Sequence, residues 1–251
     1  METNYHIRLK KENAGEYAIL TGDPARVPQI AKLLDSPCKA AQNREYTTYT
    51  GMLNGAKVNV MSVGIGGPSM AIGVEELYKL GVKTFIRIGT SGGIDLNVKA
   101  GDLVIATAAV RQEGTTTEYL PPFFPAAADF SVVTALQKSV DAQKLSRHIG
   151  IVQSKDSFYG ELEPERMPER ERLVGFWETY KRSGVLVSEM ECAALFILGS
   201  VLRVRTGALL LCIWNEERSK ALGDKTEFHD TSRMYAAAAD ALRLLIKEDR
   251  G

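Results

Sequence analysis

The chain has 251 residues, which is enough for one large α/β domain or two small ones. Its 31 basic and 31 acidic side chains balance, which argues against nucleic acid or an anionic membrane as the main partner. The three cysteines and three histidines show no metal-ligand spacing, so a disulfide framework and a metal site are both disfavoured.

The start of the chain does not resemble a targeting segment. Residues 1–6 lack a basic start followed by an apolar core, so we expect no signal peptide. The longest apolar stretch, residues 185–202, carries Glu189 and Glu191 and therefore predicts a core segment rather than a membrane span. With few cysteines, these features predict a reduced, cytoplasmic setting.

A candidate anion site follows the first predicted strand. Apolar residues 17–20 lead into Thr-Gly-Asp-Pro-Ala-Arg at residues 21–26, where Asp-Pro favours the start of a helix running to about residue 34. Gly22 then lies at a strand-to-helix turn, where backbone N–H groups and Arg26 could hold an anion. The alternative is a plain connection with a surface arginine.

The next segment is predicted to be a β-hairpin. Asn54-Gly55 is a strong turn signal between alternating segments over residues 45–61, and Arg44 opens the first arm. A glycine-rich run at residues 63–69 follows and leads into a helix ending near Gly81. This run reads G-x-G-x-x-S, so it lacks the last glycine of the dinucleotide fingerprint, and the chain contains no P-loop motif.

The central segment combines a buried strand with a buried charge. Residues 84–88 predict a strand, and Gly-Thr-Ser-Gly-Gly at residues 89–93 predicts a loop that can approach a ligand closely. Arg87 lies inside the strand, and a buried guanidinium requires an anionic partner. A bound phosphate or an internal carboxylate would both meet that need, and this stretch alone does not decide between them.

Strands and helices alternate through the second half of the chain. Strands are predicted at residues 102–110, 148–154, 185–188 and 207–214, and helices at residues 131–143, 167–182, 192–202 and 231–248. The segment at residues 111–129 is predicted to be irregular. The polar loop at residues 156–166 is either functional or a solvated lid. Because no internal linker appears, we expect one α/β domain over residues 1–251.

Polar residues lie at two strand ends in this half. Glu189-Met190-Glu191 precedes the apolar helix: Glu191 could bind hydroxyls and Glu189 could pair with an arginine, or both could be simple N-terminal acids. Asn-Glu-Glu-Arg at residues 215–218 ends the last strand, where open α/β sheets place their ligands.

Five motifs occur in one order along the chain: residues 21–26, 44–49, 62–69, 85–90 and 189–191. Together they resemble the nucleoside phosphorylase-I family, and most of all its uridine phosphorylases. The resemblance implies a three-layer α/β/α sandwich with a central mixed, twisted β-sheet. It also implies a pentosyltransferase that uses phosphate to cleave a nucleoside, uridine first, in nucleoside salvage. It implies no metal or organic cofactor, and a homohexamer whose active sites are shared between subunits.

The resemblance also assigns residues. The phosphate would be held by Gly22, Arg26, Arg87 and Thr90, joined by Arg44 of the partner subunit. The ribose would be held by Met190 and Glu191, joined by His6 of the partner subunit. The base would contact Phe158, Glu161, Arg166 and Gly92. The residues expected to act directly in catalysis are Arg87, Thr90 and Glu191, while Glu189 would balance charge.

Two departures from the family pattern bear on the base. Glu161 stands where uridine-specific members have a glutamine, and an ionised carboxylate only accepts hydrogen bonds whereas an amide also donates. It would suit a ring with two donors, such as guanine. Asn-Glu-Glu-Arg at residues 215–218 lacks the aspartate of purine-specific members, and Arg218 is a candidate for the arginine of uridine-specific ones. A purine or broad-specificity phosphorylase and a non-catalytic nucleoside-binding protein therefore stay open as alternatives. A hydrolytic nucleosidase is disfavoured, because it has no use for three phosphate-binding arginines.

Overall fold

The computed structural model describes residues 4–251 and contains a ten-stranded sheet. The strands, β1 to β10 in chain order, are Tyr17–Thr21, Asp35–Asn43, Tyr46–Leu53, Ala56–Ser62, Thr84–Gly93, Leu103–Gln112, Ala126–Ala127, Arg147–Lys155, Val187–Glu189 and Arg205–Asn215. The α-helices, α1 to α8, are Val27–Ala31, Gly67–Lys79, Phe130–Ala142, Phe158–Leu162, Arg170–Arg182, Cys192–Leu202, Glu216–Leu222 and Ser232–Arg250.

The sheet is mixed, and part of it closes on itself. Its hydrogen-bonded order is β10-β6-β8-β9-β5-β1-β4-β3-β2, with β7 beside β6. Because β10 also pairs with β5, the strands β5, β9, β8, β6 and β10 form a ring. The strands β1, β5 and β10 are parallel, whereas β2, β3 and β4 form an antiparallel meander. The carboxyl ends of β1, β5 and β10 therefore meet at one edge.

Helices cover both faces of the sheet and bury two hydrophobic clusters. Helices α2 and α6 pack on one face, and α1, α3 and α8 pack on the other. In strand β1, Ile19 packs in one cluster and Leu20 in the other. Because both faces of this central strand are buried, its sequence is a continuous apolar run. The predicted α/β/α sandwich with a mixed sheet is confirmed, as are the Asn54-Gly55 hairpin and the helix over residues 192–202.

The predicted loop at residues 89–93 is wrong. Strand β5 continues through its glycines to Gly93, because β10 pairs along this segment and β9 pairs with its last two residues. Gly92 pairs with Ser188 of β9 and with Trp214 of β10, and Gly93 continues both ladders. Backbone pairing on two sides therefore outweighs the low strand propensity of glycine.

Other local predictions also differ from the structure. The helix expected from Asp23 to residue 34 is split into a 3₁₀ turn, Pro24–Arg26, and the short α1. A second proline, Pro28, cannot donate an intrahelical hydrogen bond, which is why the two pieces do not merge. The polar loop at residues 156–166 contains α4 and a 3₁₀ turn at Pro164–Arg166. Strand β2 was not predicted, because it is a largely exposed edge strand without apolar alternation.

Residues 1–3, part of the segment where we expect no signal peptide, lie outside the described residues. Among residues 4–251, no helix has both the length and the apolar character that crossing a membrane requires. The apolar stretch at residues 185–202 instead forms β9 and α6, and α6 is buried against the sheet.

Candidate active site

A cavity of about 780 Å³ opens where β1, β5 and β10 end. This edge is where α/β sheets place their ligands. Its walls include Gly22 after β1, residues 89–93 of β5, residues 188–191 around the end of β9, and Ile213, Trp214 and Glu216 where β10 meets α7. Helices α4 and α5 contribute Phe158 and Trp177 among others, so one cavity gathers the polar strand ends singled out in the sequence.

Arg87 lies on the wall of this cavity, with only 3% of the residue exposed. Its Nε donates to Glu189 Oε2 at 3.1 Å, and its Nη2 contacts both Glu189, at 3.0 Å, and Glu191. Gly89 makes room for it, since a Cβ there would lie 2.9 Å from both terminal nitrogens. Burial acts to lower the pKa of Arg87, but the carboxylates of Glu191 and Glu189 outweigh it and raise the pKa. The guanidinium is therefore charged, has internal carboxylate partners, and also faces the cavity.

Glu189 is fully occupied by protein donors. It accepts hydrogen bonds from the backbone N–H of Glu191 at 2.8 Å, from that of Cys192 at 2.9 Å, and from the Ser154 hydroxyl, besides Arg87. Because α6 begins at Cys192, this carboxylate satisfies the free N–H groups of the first turn. The arrangement agrees with the expectation that Glu189 balances charge rather than contacting a ligand.

Glu191 joins the glycine-rich loop to Arg87. Its Oε1 accepts from the Gly66 N–H at 2.6 Å, and Gly66 has φ of 92°, a left-handed conformation that favours glycine. Burial raises the pKa of the Glu191 carboxyl, and the charge of Arg87 opposes that shift. A carboxylate offers about four lone-pair sites, so Glu191 can accept further hydrogen bonds from hydroxyls in the cavity.

The residues expected to hold phosphate lie around one end of the cavity. Gly22, Arg26 and Thr90 all line it together with Arg87. Arg26 ends the 3₁₀ turn, and its Nε lies 3.9 Å from Asp23 Oδ2, a loose surface pair that leaves the guanidinium available. Two guanidinium groups, a threonine hydroxyl and a glycine turn suit a tetrahedral oxyanion.

His6 and Arg44 do not line the cavity of their own chain. The Nδ1 of His6 lies 2.7 Å from Glu76 Oε1, and its backbone oxygen accepts from Asn43 Nδ2 at 2.7 Å. Arg44, next to Asn43, is exposed, with φ of 51°. These two residues therefore lie close together on the outer surface of the chain.

Met190, Phe158, Glu161 and Gly92 line the same cavity, and the part of its wall around Phe158 and Glu161 is called the base end. Helix α4 carries Phe158 and Glu161, and its first turn is capped by Ser157, whose Oγ accepts from the Gly160 N–H at 3.0 Å. Phe158 is 49% exposed as a residue. An aromatic ring of this kind at a cavity wall suits stacking against a flat base.

Two polar residues at this end were missed in the sequence. Lys155, the last residue of β8, forms an ion pair with Glu161 and donates to Ser188 Oγ at 2.8 Å. The Ser188 hydroxyl in turn donates to Glu161 at 3.1 Å. The predicted strand ends at residue 154, one residue before β8 does. Lys155 directly precedes the polar loop, and a lysine in that position was a sequence signal for a functional residue.

Two arginines expected near the base lie elsewhere. Arg166 ends the 3₁₀ turn, has a side chain that is 62% exposed, and forms an ion pair with Glu163. Arg218 donates from Nε to Asp224 at 2.8 Å and from Nη1 to the Leu96 carbonyl at 2.5 Å. Neither lines the cavity, because each is engaged by a local partner. The cationic partner of Glu161 in this structure is Lys155.

Helices α5 and α7 form the outer wall of this end. Trp177 lines the cavity, and its Nε1 donates to Glu217 Oε1 at 2.8 Å, while Lys181 Nζ lies 2.6 Å from the other oxygen of Glu217. Burial acts to raise the pKa of Glu217, but the bonds from Lys181 and Trp177 lower it overall. Within residues 4–251, no group of three or more His, Cys, Asp or Glu side chains could hold a metal ion.

Comparison with known proteins agrees with this geometry. The model of the phosphorylase superfamily matches residues 16–247. A uridine phosphorylase of Treponema pallidum (strain Nichols) is 50% identical over 99% of this chain and 96% of its own length. A uridine phosphorylase of Thermococcus kodakarensis (strain ATCC BAA-918 / JCM 12380 / KOD1) is 38% identical over 98% of this chain and 87% of its own.

A relative with a different printed substrate also matches. A guanosine phosphorylase of Halorubrum lacusprofundi (strain ATCC 49239 / DSM 5036 / JCM 8891 / ACAM 34) is 36% identical over 81% of this chain and 80% of its own length. The family match, the full-length similarity and the cavity at the carboxyl edge of the sheet agree with one another. The resemblance read from the five sequence motifs is confirmed, and the chain belongs to the phosphorylase superfamily.

Proposed function

We propose that this chain catalyses the phosphorolysis of uridine, in which inorganic phosphate displaces uracil and leaves ribose 1-phosphate. The observation that carries the chemistry is one cavity that holds Arg26 and Arg87 beside the buried carboxylate of Glu191. The relatives named uridine phosphorylase, 50% and 38% identical over nearly the whole chain, support the base. Such an enzyme is a pentosyltransferase of nucleoside salvage.

The phosphate end would position the nucleophile. Arginine forks match the oxygens of phosphate, and the Gly22 turn and the Thr90 hydroxyl can supply further donors. Glu189 and Glu191 hold the Arg87 guanidinium in a fixed orientation, so little ordering is needed when phosphate binds. Positioning of this kind supplies a large part of the rate of a two-reactant step.

Glu191 would hold and stabilise the sugar. As the glycosidic bond breaks, positive charge develops on the ribose, and a nearby carboxylate stabilises it. Glu191 can also accept hydrogen bonds from the ribose hydroxyls, with Met190 beside it as an apolar wall. Arg87 and Gly66 fix the direction of the carboxylate, which keeps its charge aimed at one place.

Two further contacts would come from a second subunit. His6 and Arg44 lie together on the outer surface and not in the cavity of their own chain, which fits an active site completed by His6 of the partner subunit and Arg44 of the partner subunit. We propose a homo-oligomer with shared sites, and a hexamer built from dimers as the family resemblance implies.

The remaining features follow from the same proposal. Phosphate itself is the nucleophile and the base leaves as an anion, so the chemistry needs neither a metal nor an organic cofactor. We further propose that residues 1–251 act as one nucleoside phosphorylase domain and that the enzyme works in the cytoplasm.

A purine nucleoside is the second candidate substrate, because one relative is named guanosine phosphorylase. A substrate panel decides between the candidates: uridine, thymidine, inosine and guanosine, each with and without phosphate. We expect phosphate-dependent release of uracil to be fastest. Faster release of guanine or hypoxanthine would move the chain to the purine group. Release of a base without phosphate would make it a nucleosidase, and no release from any of them would favour a nucleoside-binding protein.

A further inference from the structure

Three residues from three elements form a small polar cluster at the base end of the cavity. Lys155 ends β8, Glu161 lies in α4 and Ser188 lies in β9. The Lys155 and Glu161 side chains are 9% and 11% exposed and form an ion pair, and the Ser188 hydroxyl contacts both. Because all three line the cavity, this pair is a fixed part of its wall rather than a surface ion pair.

The pair lies beside the residues that the proposed function assigns to the ribose and the base. Ser188 directly precedes the run Glu189-Met190-Glu191, so the pair is adjacent to the residues assigned to the ribose. The Lys155 Nζ lies 5.5 Å from the centre of the Phe158 ring, the ring suited to stack on the base. Among the described residues that line the cavity, the other Lys and Arg side chains are Arg26 and Arg87, which belong to the phosphate end.

The pair supplies both hydrogen-bonding functions that a ring edge of uracil requires. Uracil presents an N3–H donor beside carbonyl acceptors. A glutamine amide could match both, whereas Glu161 alone only accepts and would repel the carbonyl. Lys155 only donates, so Glu161 and Lys155 together offer one acceptor and one donor side by side. The ammonium has three N–H groups, two of which contact Glu161 and Ser188, which leaves one for a ligand.

We propose that Lys155 and Glu161 act as one base-reading pair, in which Glu161 accepts the ring N–H and Lys155 donates to the adjacent carbonyl and stabilises the departing base. This inference rests on the proposed phosphorolysis and specifies its substrate class: bases with an N–H next to a carbonyl. Uracil, thymine, hypoxanthine and guanine have that edge. Cytosine and adenine present a bare ring nitrogen and an amino group instead, which oppose the acceptor and the donor of the pair.

Lys155 would also act in the chemical step. A phosphate oxygen forms a bond to C1′ of the ribose while the C1′–N1 bond breaks, and the electron pair of that bond passes to the base. The resulting anion spreads its charge onto the ring carbonyls, where the ammonium stabilises it. The proton of monohydrogen phosphate finally resides on N1 of the base, so the products are neutral uracil and the ribose 1-phosphate dianion.

The test compares leaving groups in single-turnover reactions with uridine and 5-fluorouridine. The fluorinated base is the better leaving group, so it depends less on the ammonium. We expect Lys155→Met to slow uridine cleavage about 100-fold or more, the size seen when one oxyanion donor is removed. The loss with 5-fluorouridine should be several-fold smaller. Lys138→Met, which removes an exposed lysine on α3 outside the cavity, should change neither rate.

A double variant serves as a control for misfolding. Lys155→Met leaves Glu161 buried without its partner, whereas Lys155→Met/Glu161→Gln is neutral and should fold like the wild type, as checked by thermal unfolding. A lone amide can rotate to match either ring edge, so the uridine-to-cytidine rate ratio should fall at least about tenfold in the double variant.

Equal losses of Lys155→Met with both leaving groups, or an unchanged uridine-to-cytidine ratio in the double variant, would overturn the base-reading pair while phosphorolysis by the wild type stands. If the wild type released no uracil in the presence of phosphate, the proposed function itself would fail, and the pair would fail with it.

Discussion

At the scale of single residues, the site depends on which hydrogen bonds Arg87, Glu189 and Glu191 make. The Glu189 carboxylate accepts hydrogen bonds from the first turn of α6 and from Arg87. The Glu191 carboxylate accepts from Gly66 with one oxygen and from Arg87 with the other. Both carboxylates are buried and both line the cavity, but protein donors occupy Glu189, whereas Glu191 keeps lone pairs that a substrate can use. Similar residues two positions apart therefore have different hydrogen-bond partners.

Glu191→Gln tests the role of this carboxylate. The variant keeps the size of the side chain and one acceptor oxygen, but it removes the negative charge opposite the developing cation. We expect kcat for uridine phosphorolysis to fall about 100- to 1,000-fold, the range for a preorganised electrostatic contact. Steady-state kinetics measure it, and thermal unfolding checks the fold. A variant with wild-type kcat would remove Glu191 from the chemical step.

The pH profile should carry the signature of the same group. Burial raises the pKa of Glu191, and catalysis needs the ionised form, so kcat/KM should fall on acidification at a higher pH than an ordinary glutamate would dictate. The ionisation of phosphate also affects the pH profile of kcat/KM, and it does so equally in every variant. The comparison is therefore between wild type and Glu191→Gln, and the acid limb that belongs to Glu191 should be absent from the variant. An acid limb of identical shape in both would contradict the assignment.

At the scale of elements, α6 and β5 are joined by a buried charge network. The Glu189 carboxylate satisfies N–H groups at the start of α6 and pairs with Arg87 in the middle of β5. Removing one partner of such a network leaves a buried charge uncompensated, which costs more than the network contributes when intact. The site is thus held in place by the same contacts that hold the helix to the sheet.

Glu189→Ala should therefore destabilise the fold as well as the site. We expect the free energy of unfolding to fall by about 3–5 kcal/mol, as for a broken buried ion pair, and chemical denaturation measures it. Glu178→Ala on α5 is the matched control, because its pairs with Lys181 and Arg182 are at the surface, where such pairs contribute about 0–1 kcal/mol. Equal effects of the two substitutions would contradict the network.

Local patterns predicted the parts of the fold that local chemistry decides. Asn54-Gly55 specifies its own hairpin, and the apolar run of α6 specifies a buried helix. Two other features depend on strand pairing, which local sequence patterns do not reveal. They are the continuation of β5 through its glycines, paired with β10, and the edge strand β2, paired with β3. The same holds in the site: Arg87 and Glu191 were recognisable from their motifs, but the pairing of Lys155 with Glu161 requires β8 and α4 to meet in space.

At the scale of the whole molecule, the proposed function takes two of its contacts from a second copy of the chain. His6 and Arg44 lie close together and do not line the cavity that holds Arg87 and Glu191, although Glu45, the residue after Arg44, does line it. If a second copy completes each cavity, a subunit contributes to two sites, its own and that of its partner. Activity would then depend on assembly and not only on the fold.

Complementation tests this sharing directly. Arg44→Ala and Glu191→Gln should each be nearly inactive alone, because every site lacks one of the two residues. In a mixed dimer, one site regains both, so subunit exchange should restore about a quarter of the wild-type activity per chain at random pairing. The two variants are unfolded, mixed and refolded together, and the activity of the mixture is then measured. No recovery, despite mixed oligomers detected by mass spectrometry, would contradict a shared site.

In the proposed function, uridine is cleaved by phosphate and not by water. The most direct measurement is ³¹P NMR of the purified protein incubated with uridine and phosphate, with uracil followed in the same sample by its absorbance. We expect a sugar phosphate resonance that grows in step with uracil, mole for mole, and no uracil when phosphate is omitted. Uracil released together with free ribose, or no uracil at all, would contradict it.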